Sequence, residues 1–320
     1  MTTASHMTAR IPDELDGKRL DQALAVLFQD FSRSRLQQWI RDGQVQVDAR
    51  VIRPKDKVFA GQEVTLQVTL APEGDWAAED IPLAIVYEDE HLLVINKPAG
   101  LVVHPAAGNY SGTMLNALLH HVPQLENLPR AGIVHRLDKE TSGLLVVAKD
   151  LSTHKELVDQ LQAREFEREY LAVVVGVMTA GGTVEAPIGR HSVQRKRMAV
   201  VERGKPAITH YRVLERFRAH SLIRVNLETG RTHQIRVHMA YIHYPLVGDP
   251  VYGGRLKLPR GGSEELAAAL RHFRRQALHA ARLGIVHPQT GEYLEWEAPL
   301  PADMQALLAV LRADAQAAHD

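Results

Sequence analysis

The chain has 320 residues, long enough for two domains and a sizeable core. Its 38 lysines and arginines balance 38 aspartates and glutamates, so global charge names no nucleic-acid partner, and the lack of cysteine excludes disulfides, thiolate nucleophiles and cysteine-based zinc sites. No apolar run approaches the roughly 20 residues that span a bilayer and no signal-peptide pattern opens the chain, so a cytoplasmic protein with no membrane role is expected. Residues 1–10 lack periodicity, and Ser5-His6-Met7 has the form of a tag remnant; they are expected to be a disordered start outside the fold. From Gly17, the residues Leu20, Ala23, Leu24 and Leu27 line one face of a helix. Ser32 is placed to cap a second helix that buries Leu36, Trp39 and Ile40 and closes at Gly43. Val45 and Val47, then Val64, Leu66 and Val68, alternate as strands, which completes a small domain over 11–70. Between Gly17 and Val68 nine basic residues face six acids, whereas Leu70 to Asn96 carries seven acids and no lysine or arginine. That acidic stretch, broken by Pro72, Gly74 and Pro82, reads as a linker over 71–90.

Beyond it, Leu92 to Ile95 is a buried-strand run, and Asn96 to Pro105 reads as strand, turn and strand, with Lys97-Pro98 an ordinary turn. The stretch from Ile133 to Ala148 places a polar loop ahead of an apolar strand, an arrangement on which chemistry is often carried. Read alone, Arg136 and Asp138 in this loop make a solvated ion pair. Leu157, Val158 and Leu161 make Leu151–Arg164 an amphipathic helix, and Arg168 to Gly176 follows as a strand with Tyr170 near its start. A lone tyrosine there is ordinarily core or rim. Arg190 to Arg218 holds nine basic residues against two acids, centred on Gln194-Arg-Lys-Arg-Met198, and strands on both sides make it a protruding hairpin suited to gripping phosphates. Such segregation lets a neutral protein present a basic face. Ile223, Val225 and Leu227 then alternate along a strand that ends at Gly230, and a helix follows through Ile235, Met239 and Ile242.

Three motifs carry a resemblance. His135-Arg-Leu-Asp-Lys-Glu-Thr-Ser-Gly143 resembles the catalytic signature of RNA pseudouridine synthases of the large-ribosomal-subunit type, and Gly230-Arg-Thr-His-Gln-Ile-Arg236 resembles a later signature of the same family. Arg19-Leu-Asp21, Ser32-Arg-Ser-Arg35 and Ile40 to Val47 resemble the Alpha-L RNA-binding motif of a small-subunit ribosomal protein. The resemblance runs in order from about Gly17 to Pro301, leaving only the last twenty or so residues without it. It implies an α+β fold: a catalytic domain over 91–320 with a mixed, largely antiparallel sheet, behind a small N-terminal Alpha-L domain.

The resemblance also implies a reaction. Specific uridines of large-subunit ribosomal RNA, in a stem-loop at the subunit interface, would be flipped out and isomerised by the carboxylate of Asp138. Arg136 would fill the vacated space, Tyr170 would stack on the uracil, and Arg236 would pair with Asp138. The Lys97-Pro98 turn would lie beneath the site with a structural role. No cofactor or metal is required, and the 17 histidines show no His-Glu-x-x-His or similar spacing. Arg33, Arg35 and Arg41 in the first domain are the implied phosphate contacts there, with Arg195, Lys196 and Arg197 of the hairpin beside them. The partner would be large-subunit rRNA or a pre-ribosomal large subunit, and the enzyme a monomer. Two other readings stand beside this one. A catalytically weak ribosome-assembly factor would lack Asp138 or Arg236, and both are present. A hydrolytic glycosidase needs two carboxylates flanking the scissile bond, and the loop offers only the neighbours Asp138 and Glu140.

Overall fold

The computed structural model describes residues 4–28, 31, 33–69, 76–105, 109–194 and 197–317. Its first unit contains β1 (Ala4–Arg10), α1 (Leu20–Leu27), α2 (Arg33–Arg41), β2 (Val45–Val47) and β3 (Glu63–Thr69). The strands form an antiparallel sheet in the order β1-β3-β2, and α1 and α2 bury Leu20, Leu24, Leu36 and Ile40 against Val45, Val64 and Leu66. The expected apolar periodicity is thus the buried face of both helices. Residue 32, read as the cap of α2, lies outside the described residues.

The reading of residues 1–10 as a start outside the fold is corrected for residues 4–10; residues 1–3 lie outside the described residues. β1 runs antiparallel to β3 from Ala4 opposite Thr69 to Arg10 opposite Glu63, which pairs an edge of β3 that β2 leaves open. Among the described side chains of this strand, Met7 and Ala9 pack on the core, too short an alternation to register as a strand in the sequence.

The second unit comprises β4 (Ile85–Glu88), β5 (Leu92–Lys97), α3 (Met114–His121), β6 (Ser142–Ala148), α4 (Leu151–Ala163) and β7 (Glu167–Val175). It continues with β8 (Gly182–Glu185), β9 (Ile188–Arg190), β10 (Met198–Val200), β11 (Ile208–Arg216), β12 (His220–Leu227) and α5 (Gln234–Tyr241). It ends with α6 (Glu264–His272), β13 (Leu278–Val286), β14 (Tyr293–Glu297) and α7 (Ala302–Ala317).

The main sheet has the order β4-β5-β6-β13-β7-β12-β11-β8, with β14 added to β13. Every pairing is antiparallel except β13 with β6, so the sheet is mixed and largely antiparallel. β6 is buried along its whole length because both faces of the sheet are covered, which explains its unbroken apolar sequence. One face packs Leu93, Leu145, Tyr170, Ile223 and Val225 against α3, the loop residues Ile133 and Leu137, and Ile235 of α5. The other face carries α4 through Leu157, and farther along α6 and α7 through Leu270, Met304, Leu307 and Leu311.

The assignment of 71–90 to a linker is corrected in part: β4 pairs with β5, and Trp76 and Leu83 pack on the catalytic core. β4 is an edge strand with little burial, so it shows no hydrophobic alternation to betray it. The second strand expected before Pro105 is reduced to a single bridge between Val102 and Thr113.

Candidate active site

The loop that carries Asp138 is held at both ends. Ile133 bridges Val147, and the neutral imidazole of His135 accepts a hydrogen bond at Nε2 from the backbone N–H of Val146, 3.1 Å away. Burial, with Arg168 nearby, holds the His135 pKa down at about 3, so it stays uncharged and acts as an acceptor. On the far side, the ammonium of Lys97, fully buried, donates to the carbonyls of Pro98, Leu101 and Lys139 at 2.8, 2.9 and 2.9 Å. Burial draws its pKa down to about 8. The Lys97-Pro98 turn thus ties β5 to the residue directly after Asp138. Arg275 adds a bond to the Glu140 carbonyl while its other nitrogens grip Asp303 of α7.

Gly143 sets the strand beneath. Its φ is +115°, and a Cβ there would stand 2.2 Å from the Ala280 carbonyl oxygen, so only glycine allows β6 to meet β13 at this point.

Arg236 rises from α5 and is 5% exposed. It donates from Nη1 to Asp138 Oδ2 at 2.9 Å, and from Nε and Nη2 to Asp249 at 2.7 and 2.9 Å. One buried guanidinium therefore joins two carboxylates. Burial works against the charge on Arg236, but the bonds and charge of Asp249, then of Asp138, push its pKa up. Burial likewise opposes charge on Asp249, yet Arg236 and the backbone N–H groups of Tyr252 and Val251 hold its carboxyl below the ordinary value. Asp249 thereby serves as a fixed anchor and Asp138, with its side chain 17% exposed, as the accessible carboxylate.

His233 and Tyr252 complete the wall. His233 takes up a left-handed backbone just before α5, with Nε2 3.7 Å from Asp138 Oδ1. The Tyr252 hydroxyl accepts from the Met198 N–H at 2.9 Å and lies 2.8 Å from His233 Nδ1. The Tyr252 ring also lies under Arg236 and Arg197, with centroids 5.0 and 5.2 Å from their guanidinium carbons. Through Met198 and Tyr252, the β9–β10 hairpin is coupled to Arg236.

Of the residues singled out in the sequence, Asp138 and Arg236 are brought into direct contact although 98 positions separate them. Tyr170 sits on β7, 6% exposed; burial first, and the Asp138 carboxylate, push its phenol above the ordinary value against the effect of Arg168. Arg136 is exposed on the loop. Arg41 is exposed at the end of α2 and donates to Gln38 and Gln37. Arg197, at the foot of the hairpin, is held to Gln194 at 2.9 Å. The side chains of Arg33 and Arg35, and residues Arg195 and Lys196, lie outside the described residues. Sequence reasoning missed Asp249, His233 and Tyr252. The first and last belong to the Gly-Asp-Pro-Val-Tyr-Gly turn that starts at Gly248, inside a stretch, Leu246 to Gly254, that continues the family resemblance without marking either residue's role. Among the described residues no cluster of three or more histidines and acids converges as a metal ligand set would.

The RNA pseudouridylate synthase model matches residues 91–241 and the S4 domain model matches residues 18–64. The chain is 60% identical over 317 residues to ribosomal large subunit pseudouridine synthase D of Pseudomonas aeruginosa, covering 99% of each chain. It is 54% identical over 321 residues to the protein of the same description from Yersinia pestis, covering 100% of this chain and 99% of that one. Among solved structures, human RNA pseudouridylate synthase domain containing 4 superposes with a TM-score of 0.59 at 28% identity, covering 72% of this chain and 93% of that one. The chain belongs to the RNA pseudouridine synthases, isomerases that convert uridine to pseudouridine in RNA, and carries an RNA-binding S4 domain at its N-terminal side.

Proposed function

We propose that this enzyme isomerises specific uridines of large-subunit ribosomal RNA, in a stem-loop at the subunit interface, with Asp138 as the reacting carboxylate. The observation that carries the reading is the Arg236 bridge: a guanidinium locked to the buried Asp249 presents its remaining Nη1 to Asp138, the more exposed of the two acids. A cation fixed in this way holds the Asp138 carboxylate aimed as substrate enters. The large-subunit target follows from relatives described as ribosomal large subunit pseudouridine synthase D.

Uridine in folded RNA is stacked, so it must be drawn out at a cost of a few kcal/mol. Arg136, exposed on the same loop, occupies the space it leaves. Tyr170 stacks on the uracil, a contact worth roughly 1–3 kcal/mol per base, and retains it while it turns. Three routes share this geometry: attack of Asp138 on ribose C1′, attack on uracil C6, or removal of a ribose proton. In each, the N1–C1′ bond breaks, C5 joins C1′, and the C5 proton leaves as N1 takes one up.

RNA is gripped by Arg33, Arg35 and Arg41 of the S4 domain and by Arg195, Lys196 and Arg197 of the hairpin, through phosphates. The enzyme works as a cytoplasmic monomer on rRNA or on the pre-ribosomal large subunit. No helix among the described residues is long and apolar enough to cross a membrane.

Tritium release from large-subunit RNA labelled at uracil C5, without added cofactor and with chelator present, tests the reading. Wild type releases tritium and Asp138→Ala does not, while RNA affinity stays nearly unchanged. Release by Asp138→Ala at the wild-type rate would remove Asp138 from the chemistry.

A further inference from the structure

Arg168 stands two residues before Tyr170 on β7, and strand alternation places both side chains on the same face of the sheet. It is 8% exposed, and its Nε is buried with no hydrogen-bond partner. No carboxylate among the described residues pairs with it, although other buried arginines here, Arg236 and Arg275, are each bound to an aspartate. Its Nη1 fills the space over Gly230, where a Cβ would come within 2.9 Å of it. Its charge acts on both the Tyr170 phenol and the His135 imidazole, and Asp138 acts on the same phenol. The guanidinium therefore lies between the catalytic loop, the turn before α5 and Tyr170.

A buried cation without a counter-ion costs several kcal/mol unless something compensates it. The compensation need not be permanent. When the N1–C1′ bond breaks, the bonding electron pair leaves with the uracil and its charge spreads over N1, O2 and O4. When C5 then bonds to C1′ the ring is neutral again, and the C5 proton is afterwards exchanged for one on N1, a base taking the first and solvent supplying the second. An anion thus exists beside Tyr170 only between the two events. A donor aimed at such a transient oxyanion stabilises the transition state more than the bound substrate.

We propose that Arg168 is a catalytic residue that donates hydrogen bonds to a carbonyl oxygen of the target uracil and carries the negative charge that develops there as the glycosidic bond breaks. The inference rests on the placement of the uracil against Tyr170 in the proposed function. A backbone phosphate is the other anionic oxygen a guanidinium takes, but Arg168 is buried, while Arg136 is exposed on the Asp138 loop.

The test is single-turnover kinetics at saturating enzyme on a large-subunit stem-loop, with Arg168→Gln, Arg168→Lys and Asp138→Ala. The target position carries uridine, 2-thiouridine or 4-thiouridine. Arg168→Gln is expected to slow turnover about 10²- to 10³-fold, the size seen when one oxyanion donor is lost, with RNA affinity within about threefold. Arg168→Lys keeps the charge and recovers part of the rate. Sulfur at the contacted oxygen slows wild type but adds little to the loss in Arg168→Gln, because both changes remove the same bond. If Arg168→Gln fails to melt cooperatively, the same comparisons are read on Arg168→Lys. A wild-type rate in the variants, a loss confined to affinity as a phosphate grip gives, or fully additive effects at both thio positions overturns the proposal. Inert Asp138→Ala beside normal Arg168 variants brings down this inference alone, whereas active Asp138→Ala brings down the site with it.

Discussion

Replacing Asp249 by alanine should damage the protein more than replacing Asp138, although Asp138 is the residue closer to the chemistry. Arg236 makes three hydrogen bonds, two to Asp249 and one to Asp138, and is 5% exposed. Asp249→Ala strips two of them and leaves a buried guanidinium held by a single carboxylate, a loss of about 3–5 kcal/mol. It also frees the backbone N–H groups of Val251 and Tyr252, which Asp249 accepts at 2.8 and 3.0 Å. For a domain of this size that is a drop in Tm of about 6–20 °C. Asp138→Ala leaves Arg236 bound to Asp249 by both bonds, and should cost about 1–2 kcal/mol or less. Thermal scans and urea titrations of wild type and both variants at neutral pH measure the difference. Turnover should separate the two the other way. Asp138→Ala is inert, while Asp249→Ala keeps a trace of activity, lowered by about 10²-fold through misplacement of Arg236. Equal melting temperatures for the two variants, or a lower one for Asp138→Ala, would refute the assignment of Asp249 as anchor.

Lys97→Met removes the donor shared by three buried carbonyls and should destabilise the catalytic domain by about 3 kcal/mol or more. Faster amide exchange from Lys139 to Thr141 would accompany it, and a change under about 1 kcal/mol would contradict the clamp. His220 is 2% exposed and burial pulls its pKa from 6.5 to about 4. Because its folded pKa lies below the unfolded one, its contribution is whole above about pH 6.5 and drains as pH falls towards about 4; by about pH 5 roughly 2 kcal/mol is gone. The slope of stability against pH in that window should flatten in His220→Gln, and an unchanged slope would show that other groups set it.

Much of the architecture was legible because burial writes a period into sequence. Leu20, Ala23 and Leu24 of α1 and the apolar run of β6 face packed layers, so their pattern and their structure coincide. β1 and β4 were not legible because backbone pairing holds them at sheet edges, and the side chains of β4 go largely unburied there. Helix α7 is a different case. Met304, Leu307, Leu308 and Leu311 recur at helical spacing and are all buried, so the signal was present in a segment that the family resemblance does not reach. In the site, the two motifs that hold Asp138 and Arg236 carried their resemblance in consecutive residues. Asp249 sits on a turn between elements and acts through Arg236, and its role appears only once the chain has brought the two together. Arg168 is equally silent in sequence, since one arginine in a strand shows nothing of the partner it lacks.

The central claim, that Asp138 isomerises uridines of large-subunit rRNA, is met most directly by mapping pseudouridines across that RNA from cells lacking this protein. The cells are complemented with wild type or with the near-isosteric Asp138→Asn. Wild type should restore a defined set of pseudouridines in one stem-loop and Asp138→Asn none of them, with both proteins binding the RNA alike. Restoration of the same set by Asp138→Asn would contradict the account.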